Sequence, residues 1–189
     1  FPVEYWSYPQ IAGGVVKGAV VTFNDITERR EAEEKLRVSE ERLRNITDSA
    51  KDAIIMMDSR GAISYWNPAA EHIFGYSAEE VMGKDLHELL APKRYLSAHR
   101  AALPEFQRTG RGDAVGTTRD LHARCKDGQE IPVALSLSAV WQDGTWHAVG
   151  VIRDVTAQKQ AEAAMQEAQK VAEAANQAKS DFLATMSHE

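Results

Sequence analysis

Residues 52–83 read DAIIMMDSRGAISYWNPAAEHIFGYSAEEVMG. The apolar run after Asp52, the Ser59-Arg60-Gly61 turn and the run ending at Trp66 predict a tight hairpin. Asn67 is a good N-cap, Pro68 suits the first helical position and Gly75 the stop, so a helix follows at once. Ser77 repeats that grammar. It caps a second short helix with Glu80 three residues on as its box partner and Gly83 as the stop.

Working outward, LHELLAPKRYLSAHRAALPEFQRTG (86–110) holds a short helix and a longer one ending at Gly110. Pro104 is expected to strain any single uninterrupted helix there. The stretch 117–156 then predicts three strands joined by Lys126-Asp127-Gly128 and Gln142-Asp143-Gly144 turns. The order β-β-α-α-α-β-β-β implies an α+β fold, a five-stranded antiparallel sheet with helices on one face and a closed or fillable pocket between them.

The chain also repeats itself. Residues 1–36 resemble 131–165: Pro2-Val3 matches Pro132-Val133, Asp25-Ile26-Thr27 matches Asp154-Val155-Thr156, and Ala32-Glu33 matches Ala161-Glu162. Each copy reads as strand, glycine turn, strand, Asp-x-Thr and a polar helix. Thr is expected to cap that helix, with the Asp accepting from turn amides. Residues 1–27 therefore read as the last two strands of a truncated first domain, 28–50 as a linker helix, 51–156 as a complete second copy and 157–189 as an outgoing helix. In the linker, Ala32, Leu36, Leu43, Ile46 and Ala50 share an a/d seam that Ser39 interrupts. So thin a stripe suits a two-stranded coiled coil or a helix lying on its own domain.

Composition narrows the function classes. The 189 residues are 43% hydrophobic and 26% charged, with a net charge of -6. No basic stripe offers itself to nucleic acid. Cys125 is the single cysteine, which excludes an internal disulfide and fits a reducing, cytoplasmic setting. No apolar run approaches the roughly 20 residues needed to cross a bilayer. The start at Phe1-Pro2-Val3, without Met or signal pattern, reads as an excerpt, and membrane anchoring upstream is left open.

The elements Trp66-Asn67-Pro68-Ala69-Ala70, Phe74-Gly75-Tyr76-Ser77, Lys126-Asp127-Gly128 and Asp154-Val155-Thr156 occur in the order of the sensory PAS family, which the chain closely resembles over 42–160. Its tail AKSDFLATMSHE (178–189) resembles the start of the dimerisation and phosphoacceptor helix of sensor histidine kinases. The resemblance implies a parallel homodimer, a response-regulator receiver as downstream partner, His188 as phosphoacceptor and Glu189 as the base or orienting group. The ATP-binding domain such kinases need, with its glycine-rich phosphate loops, is not within these residues. The alternative is a PAS interaction module that only dimerises, without kinase output.

PAS domains bind haem, flavins, small acids or nothing, so the fold leaves the ligand open. His99 stands where haem-binding oxygen-sensor PAS domains carry their axial His, and Arg119 where they resemble this chain in having a pocket Arg. The chain departs from them in Arg100 after the His and in Gly116-Thr117-Thr118 before the Arg. Haem b through His99 is thus one candidate cofactor, beside a structural or surface His. FAD stacked on Trp66 is a weaker one, beside a Trp packed at a strand end. Cys125, on a late strand, does not suit a Cys–flavin adduct. His72, His87, His122 and His147 read as surface or packing residues.

Residues 157–188 lack Gly and Pro and predict one long helix. Two seams overlap on it: Ala161, Ala164, Ala168, Val171, Ala175, Ala178, Phe182, and Met165, Ala168, Ala172, Ala175, Phe182, Met186. Alanine buries little area, so neither register dominates. Such a helix is either a switchable relay or a loose linker.

Overall fold

A computed structural model describes residues 1–186, and their side chains apart from 12 and 178–186. The chain divides into two units, Phe1–Ser49 and Ala50–Glu189.

The second unit opens with β3 (Ala53–Met57), in which Ala53, Ile55 and Met57 are buried while Ile54 and Met56 are half-buried. That alternation marks a strand with one face on a core. Asp58 Oδ1 accepts from the amides of Arg60 and Ala62 at 2.8 and 2.9 Å, tightening the turn into β4 (Ile63–Trp66). Four helices follow: α2 (Pro68–Phe74), α3 (Ala78–Val81), α4 (Leu86–Leu90) and α5 (Lys93–Thr109). These are the four helices the capping residues indicate, one more than the β-β-α-α-α-β-β-β order counts. The chain then returns through β5 (Thr118–Arg124), β6 (Glu130–Gln142) and β7 (Thr145–Asp154). The sheet order is β4-β3-β7-β6-β5 with every neighbouring pair antiparallel.

The caps form as the sequence indicates. Asn67, 1% exposed, accepts from the Ala70 amide at 3.0 Å and from the Ile54 amide at 2.8 Å, and its Nδ2 donates to the Asp52 carbonyl at 3.1 Å. One side chain thus starts α2 and pins it to β3. Ser77 and Glu80 close the capping box on α3. Phe74, Ile55, Ile63 and Val81 are fully buried between helices and sheet. Each contributes about 1.5–3 kcal/mol by leaving water.

The longer helix runs to Gly110 as expected, and one expectation is corrected. Pro104 lies inside α5 without ending it. The proline lacks the N–H that would bond the Arg100 carbonyl, but both residues are exposed, so water can take that carbonyl. In Asp-x-Thr the cap is not Thr. Thr27 and Thr156 are the first helical residues, and each Asp carboxylate accepts from the Thr amide, at 2.9 Å from Thr27 and 2.8 Å from Thr156.

The first unit is a hairpin of β1 (Val3–Ala12) and β2 (Val15–Asp25), turned by Gly13 and Gly14 at φ 61° and 76°, and followed by α1 (Thr27–Asp48). Its register matches that of β6 and β7. Val3 pairs with Asp25 as Val133 pairs with Asp154, and Tyr5 with Phe23 as Leu135 with Ile152. In both units the amide between Asp and Thr donates at 3.1 Å to the carbonyl of the opposite Pro, Ile26 to Pro2 and Val155 to Pro132. A bulge between Gln10 and Ile11 absorbs the one-residue difference in length. Every residue of β2 is exposed, Phe23 to 69%.

Candidate sensory site and its output junction

Helix α5 turns Leu96, His99, Leu103 and Phe106 inward at spacings of three and four residues, and all four are at least half-buried. His99 therefore occupies the middle of an apolar stripe. Its ring centroid lies 4.2 Å from that of His87, with the rings tilted by 30°. His87 comes from α4, which is held at both ends. Asp85 Oδ1 accepts from the Glu88 amide at 2.9 Å, and Arg124 of β5 donates to the carbonyls of Glu88 at 2.6 Å and Leu89 at 3.2 Å. Outside, Arg100 bridges Glu88 at 2.9 Å and ties α5 to α4.

Burial pushes the His87 imidazolium down to about 4, with the charge on His99 adding to the effect and Asp85 opposing it. His99 is lowered for the same first reason, again against Asp85. Both rings are neutral at pH 7. Beside them the space between α5 and the sheet is filled by Met57, Phe106 and Ala148, with Leu86, Val115, Leu137 and Trp146 packed against these.

The remaining expected residues are dispersed. Arg119 stands opposite Leu135, on the strand face it shares with Leu121 and Ala123, yet it is exposed, and its guanidinium donates to the Asp113 carbonyl in the loop after α5. Among the described residues no hydrogen bond joins Arg119 to His99. Trp66 is a core residue: its ring centroid is 5.7 Å from that of Phe74, and its Nε1 donates to the Tyr76 carbonyl at 3.2 Å. Cys125 follows β5, half-buried beside a surface groove of about 470 Å³ that His72, Lys126 and Asp154 also line. Burial, then Asp127 and Asp154, pushes its thiol up, away from the reactive thiolate. Among the described residues no three His, Cys, Asp or Glu side chains gather as a metal site. His188 and Glu189 lie outside the described residues.

Sequence reasoning read His87 as a surface or packing residue and missed its contact with His99. Its place three residues before buried Leu90 on α4 was the available signal.

The junction between β7 and the last helix is the other organised feature. Strand β7, between β3 and β6, passes through Asp154 directly into α6 (Thr156–Met186). Lys159, in the first turns of α6, bridges Asp120 of β5 at 2.7 Å. The start of α6 is thus tied to the sheet at two points, through the chain at Val155 and through this ion pair.

Against known proteins, residues 41–155 match the family model described as the PAS fold. The chain belongs to the PAS family. Over 147 residues this PAS chain is 32% identical to sensor protein FixL of Bradyrhizobium diazoefficiens, covering 78% of the chain and 29% of that protein. It is 31% identical over 162 residues to cell-division control histidine kinase PdhS of Brucella abortus, covering 84% of the chain and 15% of that protein. The chain thus spans under a third of the length of these relatives. Among solved structures, the PAS domain of an HTR-like protein from Haloarcula marismortui superposes with a TM-score of 0.52 at 21% identity, covering 66% of this chain and 98% of that one. A domain of the sensory box sensor histidine kinase/response regulator from Geobacter sulfurreducens gives 0.50 at 24%, covering 63% and 96%. At such identities the likeness establishes the fold.

Proposed function

We propose that this PAS chain is the sensory and regulatory region of a two-component sensor histidine kinase. The observation that carries the reading is the unbroken course of β7 through the Asp154 bracket into the 31-residue helix α6. The relatives named sensor protein and histidine kinase support it. Residues 1–27 are then the closing strands of a preceding PAS domain, 28–50 the linker, 51–156 the sensor and 157–189 the signalling helix. The protein works as a parallel homodimer in the cytoplasm and passes phosphate to a response-regulator receiver. No helix among the described residues is long and apolar enough to cross a membrane.

In the chemical step a neutral His188 imidazole nitrogen attacks the γ-phosphorus of ATP. The new N–P bond replaces the bond to the β-phosphate oxygen, ADP leaves, and Glu189 takes or orients the proton of the other ring nitrogen. ATP is held by a separate ATP-binding domain.

For a cofactor, neutral His99 has the donor chemistry for haem iron. The packing does not suit it: His87 lies against the ring, and Met57, Phe106 and Trp146 fill the adjacent interior, so a macrocycle would have to displace them. No step of the relay is routed through haem. FAD meets a similar obstacle, because Trp66 is closed within the core.

The test is incubation with γ-labelled ATP and a histidine-kinase ATP-binding domain. Acid-labile label that His188→Ala abolishes supports the reading. A chain left unlabelled while that domain phosphorylates its own substrate helix assigns the protein to the non-catalytic PAS interaction modules.

A further inference from the structure

Strands β3 and β7 lie side by side and antiparallel, so at one end of that pair the chain both enters the sheet and leaves it for α6. Their register ends at Ala53 opposite Ile152. One step further along it stand Asp52 and Arg153. The guanidinium of Arg153 grips the Asp52 carboxylate as a fork. Its Nη2 donates to Oδ2 at 2.8 Å, and its Nε donates to Oδ1 and Oδ2 at 3.1 and 3.2 Å. A fork of this kind fixes the mutual orientation of two groups as well as their distance. The main chain of Asp52 is held too, because its carbonyl accepts from Asn67 Nδ2.

Asp52 follows Ser49, the C-cap of α1, by three residues, and Arg153 precedes Thr156, the first residue of α6, by three. Along the chain the two are 101 residues apart, so the ion pair closes a long loop at its neck. The bonding continues on the outgoing side. Asp154, next to Arg153, accepts from the amide and the hydroxyl of Thr156. A short bridge of side chains at the end of the sheet thus runs from the incoming chain to the outgoing one. The first unit shows that the bracket does not require the arginine. There the position corresponding to Arg153 is Asn24, which pairs with Glu4 as Arg153 pairs with Ala134. Both copies close the Asp-x-Thr bracket, and only the one with a helix on each side carries the fork.

We propose that Asp52 and Arg153 are a coupling pair, through which the order of α1 and the order of the first turns of α6 depend on each other. The inference deepens the relay reading above by naming the residues that join input to output, and it rests on α6 as the signalling helix. An exposed ion pair shifts an equilibrium by about fivefold at most. A bias of that size is felt only where the alternatives are nearly balanced, as they are along the alanine seams of α6. The dependence is reciprocal. What a change in α1 does to α6 through the pair, a change in α6 does to α1.

The experiment is hydrogen exchange of the full chain, read by mass spectrometry. Leu43→Pro, which interrupts α1, should speed exchange of the 159–164 amides by about threefold. Ala164→Pro should speed that of the 44–49 amides to a similar extent. Arg153→Gln should remove both responses, and Asp52→Arg combined with Arg153→Asp should restore them. Lys159→Gln, which frees Asp120 and loosens α6 by itself, should leave the response to Leu43→Pro in place. Responses that persist in Arg153→Gln, or that the parent lacks, overturn the proposal, as does a response in one direction only. Labelling of His188 is scored separately. If the exchange results hold while His188 stays unlabelled, the coupling stands and the kinase reading fails. If His188 is labelled and Arg153→Gln alters neither response, the reverse is true.

Discussion

The imidazoles of His87 and His99 lie face to face across the α4–α5 contact, 4.2 Å apart, with Asp85 the one opposing charge near both. Each ring is held below its ordinary value of 6.5, His87 to about 4. The unfolded chain therefore binds more protons than the folded one between those values. Stability is full above about pH 6.5 and falls as the pH drops toward 4. The loss attributable to His87 is on the order of 1–2 kcal/mol, below what the full shift implies because the ring is partly solvated. Urea unfolding at a series of pH values should show it, and His87→Phe should flatten that part of the curve. An unchanged curve in the variant would assign the acid sensitivity elsewhere.

Asn67→Ala removes a buried side chain that satisfies two amides and one carbonyl. It should cost about 2–4 kcal/mol in denaturant unfolding. Asn67→Asp, which keeps the acceptor and loses the donor, should cost less at pH 7 than the alanine variant does.

Gly110 ends α5 at φ 66°, and a Cβ placed there would overlap the indole of Trp146. Gly110→Ala should lower stability by about 2–4 kcal/mol, one part from the left-handed backbone and one from the overlap. Adding Trp146→Leu should recover only the second part. Thermal unfolding of both variants separates the two.

Ala168 and Ala175 belong to both seams of α6, and both are exposed. Leucine at either position favours whichever packing buries it, by about 1–2 kcal/mol per helix pair. Phosphorylation of His188 should then become constant, high or low, in an autophosphorylation assay. A variant that still responds to stimulus like the parent shows that the two packings do not carry the signal.

What the sequence discloses here is what is local. Asn67 with Pro68, Ser77 with Glu80, and the glycine turns act within a few residues of themselves, and all form as read. What Pro104 costs α5 is not legible locally, because it depends on whether the freed Arg100 carbonyl meets water, a matter of which face the fold leaves open. In Asp-x-Thr the Asp accepts from a turn amide as read, and only Thr as the cap fails, because the helix starts on the Thr itself. The spacing of His87 from Leu90 signals only its inward face, and its contact with His99 was illegible for a different reason. It depends on how two helices of unlike length lie on the sheet, and no spacing within either encodes that angle. Arg119 likewise has its partner, Asp113, in a loop whose path only the folded chain sets.

The Asp bracket that closes both hairpins acts as a fixed origin of count. Leu36 stands as far after Asp25 as Met165 stands after Asp154, eleven residues in each case, and Leu43 and Ile46 correspond in the same way to Ala172 and Ala175. Excising residues 26–154 would join Asp25 to Val155 and Thr156, rebuild the bracket, and leave the α6 heptads in phase. The stretch between the two brackets is therefore a cassette. Its loss or duplication is expected to leave unchanged the count from the Asp bracket to the seam of the helix that follows.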